Sequence, residues 1–129
     1  MESSQGSENS TSRTLVPAVG VDQSVALSSP VSTWNVTVKA YLDASIDSVH
    51  TRRAYARHLG RAGEALGWPE ISDIDGTMLA AYRASVAAAD VAPATKAQAL
   101  AALRSFLLWV GDMGGHRLPT RLLRTALKA

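Results

Sequence analysis

SVHTRRAYARHLGRAGEALG, residues 48–67, decides how this chain folds. Tyr55, Leu59, Ala62 and Leu66 recur at intervals of four, three and four, the period of an α-helix. Arg53, Arg57, Arg61 and Glu64 fall on the opposite side, so the stretch reads as an amphipathic helix over about 49–66. Asp47 or Ser48 is placed to cap its start. At the other end Gly67 can take the left-handed position after the last turn, and Pro69 cannot continue the helix.

The same pattern extends in both directions. VTVKAYLDAS, 36–45, predicts a preceding helix with a Val38, Tyr41 and Leu42 stripe; Ser32, Thr33 and Asn35 are each placed to cap it. A helix over about 75–89 follows, capped by Asp73 or Asp75, with Met78, Leu79, Tyr82 and Val86 on its buried stripe. PATKAQALAALRSFLLWVG predicts a long central helix over 93–111, with Pro93 in the first turn, where its missing N–H costs nothing. GDMGG reads as a flexible turn, and a last helix spans about 118–127 with Leu118, Leu122, Leu123 and Leu127. No strand pattern appears in 36–129, and abundant alanine favours helix. The fold class is therefore all-α, one small bundle of four to five helices joined by short connections.

Residues 1–35 are rich in Ser, Gly, Asn, Pro and Val without periodicity, and read as a disordered or flexible N-terminal arm ahead of a helical domain at 36–129. MESSQGSENSTS has neither the basic nor the apolar segment of a signal peptide, and no run reaches the ~18 apolar residues of a membrane span. The chain contains no cysteine, which excludes disulfides, thiolate chemistry and any Cys-based zinc site. His50, His58 and His116 are far apart and form no metal motif; neither GxSxG nor a phosphate-binding glycine loop occurs, so no cofactor is expected. Net charge is only +2 but uneven, with twelve basic and eight acidic side chains after residue 35. A modest positive excess by itself equally serves solubility; clustering of the charges is the better sign of a polyanion partner.

Two helix starts carry the candidate binding residues. On the first, Arg53, Arg57 and Arg61 line one face over two turns, and guanidinium forks suit phosphate oxygens; the alternative is a solvated surface face partly paired with Glu64. His50 and Thr51 sit in its first turn, where free N–H groups and the helix dipole favour an anion. Arg52 lies nearer the core side, placed to be structural or to reach around the helix end. On the second, Thr95, Lys96 and Gln98 hold the equivalent place and Arg104 lies two turns on; Gln98 can bond to adenine or to phosphate. Ala101, Ala102 and Ser105 leave that side open for close approach of a partner. Trp109 points away from the Leu100–Leu107 side, towards an adjoining domain or its own packing.

The order of these elements resembles the N-terminal core-binding domain of tyrosine recombinases, the phage integrase and Xer-type group. Thr51, Tyr55 and Leu59 match its T-x-x-x-Y-x-x-x-L signature. Ile71, Ile74, Leu79 and Tyr82 match the second block, and Thr95, Leu103, Phe106, Leu107 and Trp109 the third. The resemblance covers about 36–126 and implies a compact orthogonal bundle of the SAM-like kind that clamps double-stranded DNA. By similarity the contacts fall at Thr51, Arg53, Arg57, Thr95, Lys96 and Gln98. His50, Arg52, Arg61 and Arg104 join them from position and charge. The resemblance further implies a C-terminal catalytic domain of the same parent protein, homo-oligomers on paired half-sites, and a cytoplasmic, nucleoid-associated setting without a membrane. That catalytic domain lies outside this sequence, so no catalytic residue is assigned, Tyr41, Tyr55 and Tyr82 are not promoted to nucleophile, and the chain itself is expected to cleave nothing. Two features depart from the family: GGHRLPT stands where NP usually follows the long helix, and that helix carries few long polar side chains. The competing reading is a helical protein–protein interaction module without nucleic acid, suggested by modest charge, small residues on the long helix and exposed leucines in the last one.

Overall fold

The computed structural model describes residues 29–129, of which 34–129 form one unit. The arm expected over 1–35 lies outside the described residues as far as residue 28. Five α-helices follow: α1 Pro30–Ser45, α2 Val49–Leu66, α3 Gly76–Ala88, α4 Pro93–Asp112 and α5 Thr120–Ala126, with a single 3-10 turn at Ile71–Asp73. There is no strand among the described residues, and the fold they form is all-α as the sequence predicts.

The first helix begins six residues earlier than its periodicity suggests, at Pro30 instead of 36. The Ser29 hydroxyl oxygen accepts the Ser32 N–H at 3.1 Å, so the cap is Ser29 and not Ser32, Thr33 or Asn35. The extension places Trp34 one turn ahead of Val38 on the buried stripe. Ser48 caps α2 through the Thr51 N–H at 3.3 Å, and Asp75 caps α3 through the Met78 N–H at 2.9 Å.

Central α4 packs on α2, α3 and α5 and buries Ala99, Leu100, Ala102, Leu103, Phe106, Leu107 and Val110. Phe106 meets Trp34 and Tyr41 edge-on, each at 5.5 Å between ring centroids. Trp109 leans on Tyr41 at 5.8 Å, so the core claims much of its ring. The small residues of α4 are not an open face: Ala102 is fully buried, and Ser105 bonds to the Tyr41 hydroxyl at 2.6 Å. Likewise Leu123 and Leu127 of the last segment are core residues. Burying each such leucine stabilises the fold by about 1.5–3 kcal/mol.

Helix α2 ends in a Schellman motif. Gly67 turns left-handed at φ 79°, its N–H reaches the Glu64 carbonyl at 3.1 Å, and the Trp68 N–H reaches the Gly63 carbonyl at 2.8 Å. The Trp68 ring then folds over Gly63, against which Trp34 also lies. A Cβ on Gly63 would stand 2.5 Å from the Trp68 ring and 2.7 Å from the Trp34 indole nitrogen.

GDMGG is an ordered cap instead of a flexible turn: Gly114 and Gly115 donate to the Gly111 and Val110 carbonyls at 3.0 and 2.9 Å. His116 then fixes the path into α5. Its Nε2–H donates to the Leu107 carbonyl at 2.5 Å while Nδ1 accepts the Leu118 N–H at 3.1 Å. The buried imidazole thus holds the GGHRLPT segment where the usual NP is absent.

Gly60 and Gly63 give opposite outcomes on substitution. Gly60 has open space around a new Cβ, so Gly60→Ala is expected to stabilise by about 0.5–1 kcal/mol through helix propensity. Gly63→Ala forces two indoles off the helix and is expected to cost about 1–3 kcal/mol. Thermal unfolding followed by circular dichroism checks both, with Tm rising in the first and falling in the second.

Candidate nucleic-acid interface

Helix α2 owes its orientation to its apolar stripe. With Ala54, Leu59, Ala62 and Gly63 turned inward, Arg53, Arg57 and Arg61 are all exposed. None of the three makes a hydrogen bond or ion pair with any described residue, Glu64 included, so the alternative of a partly paired face does not hold. His50 is exposed at the helix start and Thr51 is half-buried beside it.

The other predicted cations are engaged inside the molecule. Arg52 donates to the Leu42 and Ile46 carbonyls at 3.4 and 3.2 Å and pairs with Asp43. It closes the C-terminal end of α1, so its guanidinium is withdrawn from the α2 face. Arg104, half-buried, donates to the Leu127 carbonyl at 3.2 Å and ties α4 to the end of α5. Lys96 reaches the Ala87 carbonyl at 2.7 Å and closes α3.

Thr95 lies half-buried in the first turn of α4, whose N-cap, Ala92, supplies no side-chain hydrogen bond. Gln98 is exposed, but its carbonyl oxygen accepts a hydrogen bond from Nε2 of buried His58 at 3.0 Å. The amide nitrogen is the part left to donate outward. His58 therefore joins α2 to α4 directly beneath the candidate surface. Spacing alone hid it, because its partner lies forty residues away in sequence.

A cavity of about 210 Å³ separates α2 from the α3–α4 junction, lined by His58, Arg61, Tyr82, Val86, Thr95 and Lys96 among others. It brings Arg61 of the first predicted group beside Thr95 and Lys96 of the second. Arg53 and Arg57 lie further along α2, and Arg52 and Arg104 stand apart as helix locks.

Burial pushes the phenols of Tyr41 and Tyr82 above their ordinary pKa, opposed at Tyr41 by the bond to Ser105. Burial thus favours the neutral phenol at both.

The family model for the phage integrase N-terminal SAM-like domain matches residues 38–112. The chain belongs to that family, and so carries the N-terminal domain of an integrase-type recombinase. No curated protein and no solved structure matches it. Among the described residues no helix is long and apolar enough to cross a membrane.

Hydrogen bonds from Lys39 and Arg52 hold the Asp43 carboxyl below the usual carboxylate range. A lowered folded pKa means that its contribution to stability is present at neutral pH and is lost as pH falls through the folded value. Arg52→Ala is expected to raise the Asp43 midpoint in a carbon-detected NMR titration and to shrink that contribution. An unchanged midpoint would contradict the pairing.

Proposed function

We propose that this domain binds duplex DNA and serves site-specific recombination of the tyrosine type. The observation that carries the reading is the set of three guanidiniums, Arg53, Arg57 and Arg61, exposed on one face of α2 without an internal partner. Guanidiniums left unpaired on a surface suit phosphates in a way that engaged ones do not. Thr51 and Thr95 stand at helix starts, where main-chain N–H groups and the dipole favour an anion. Phosphate contacts supply most of the affinity, and they position the domain without reading sequence.

Base readout rests chiefly on Gln98. With its oxygen held by His58, its amide group favours an acceptor, such as guanine O6 or N7 or a phosphate oxygen, over the donor–acceptor pair of adenine. Arg52, Lys96 and Arg104 act mainly by holding helix ends, so their part in the interface is secondary. In the parent protein a C-terminal catalytic domain grips the other side of the duplex and performs the strand chemistry, with copies assembling on paired half-sites. A nucleoid-associated, cytoplasmic setting follows from that partner. The alternative of a protein-interaction module loses two of its grounds, since the small residues of α4 and the leucines of α5 are largely internal.

Fluorescence anisotropy with a labelled ~30-bp duplex tests the proposal. Affinity should fall steeply between 50 and 200 mM salt, and replacing Arg53, Arg57 and Arg61 with alanine should remove up to about 2.7 from the log–log salt slope. No binding at the lower salt, with an intact helical circular dichroism spectrum, would refute autonomous DNA binding.

A further inference from the structure

The net positive charge of the described residues is confined to their end. Residues 29–112 carry eight basic and eight acidic side chains, while 113–129 carry four basic and no acidic ones. These four are Arg117, Arg121, Arg124 and Lys128, of which Arg121 and Arg124 are one turn apart on the same helix. Helix α5 holds Arg121 and Arg124, and the chain on either side supplies Arg117 and Lys128. All four are exposed, and no described residue bonds to any of the three guanidiniums.

The element that bears them is fixed. Leu123 and Leu127 anchor it in the core, Arg104 holds the Leu127 carbonyl, and Arg83 donates to the Lys128 carbonyl at 2.6 Å. Arg61 and Lys96 line the cavity of about 210 Å³, and Lys96, Arg83 and Lys128 line a neighbouring one of about 280 Å³. No acidic residue lines either.

We propose that Arg117, Arg121 and Arg124 form a second phosphate-binding surface, which lengthens the footprint of the domain on the same DNA duplex. This inference rests on the reading of the domain as a DNA binder, but not on the α2 residues that carry it. Arg121 and Arg124, one turn apart on α5, repel one another, Arg117 and Lys128 add like charge in the adjoining chain, and a row of phosphates relieves that repulsion.

The test compares four proteins on the ~30-bp duplex between 50 and 200 mM salt: the whole chain, R53A/R57A/R61A, R117A/R121A/R124A, and V36E/A40E/A44E. The last lowers net charge by the same amount on the exposed side of α1. Circular dichroism confirms that each is helical. The expected result is that R117A/R121A/R124A binds about tenfold or more weakly than V36E/A40E/A44E at 50 mM, with a salt slope reduced by up to about 2.7. If it matches V36E/A40E/A44E while R53A/R57A/R61A fails, the second surface is refuted and the DNA reading stands. If it fails while R53A/R57A/R61A binds normally, the second surface stands and the α2 assignment falls. If the unmodified chain does not bind at 50 mM, both are overturned.

Discussion

Everything in this bundle turns on the place where Trp34 lies against the backbone of α2. The contact exists because Gly63 has no Cβ, which lets two indole rings settle on the helix. At that distance the Trp34 N–H donates to the Leu59 carbonyl at 2.9 Å, and its ring meets the edge of Phe106. One side chain thus joins α1, α2 and α4. It also sets the roll of α2 about its own axis. A helix with Leu59, Ala62 and Gly63 turned inward must turn Arg53, Arg57 and Arg61 outward. The packing constraint and the functional face are therefore two sides of one arrangement.

The cations divide according to where helix carbonyls need them. Neither α1 nor α3 carries a basic residue in its own last turn. Each borrows one from another helix: Arg52 of α2 closes α1, and Lys96 of α4 closes α3. The end of α5 takes Arg104 and Arg83. A cation at the negative end of a helix is favoured by the macrodipole and satisfies carbonyls that lack an intrahelical partner. Among the described residues the remaining arginines have no such employment, and they fall in two groups, one on α2 and one around α5.

Strongly periodic elements were legible in the sequence. α2 matches its predicted span of 49–66, because its apolar stripe, cap and glycine stop all agree locally. α3 and α4 agree within a residue or so at each end. The start of α1 was not legible, since a Ser-Pro start preceded only one apolar turn before the predicted boundary. Among the candidate site residues, exposure of Arg53, Arg57 and Arg61 followed from facing alone. The engagement of Arg52, Lys96 and Arg104 did not, because their acceptors are carbonyls whose positions depend on how other helices end. The charges at Arg117, Arg121, Arg124 and Lys128 stand in the sequence, but their exposure follows from the burial of Leu123 and Leu127 between them.

By itself the sequence determined the helices, their inward stripes and the family, since each depends on periodicity and short motifs carried within one segment. Only the tertiary structure decided which polar groups are available. His58 became the support of Gln98 and His116 the lock before α5. Ser105 became the partner of Tyr41 instead of an open contact surface. The reason is that a side chain's freedom depends on donors and acceptors brought to it from distant segments, and those distances do not exist until the helices pack.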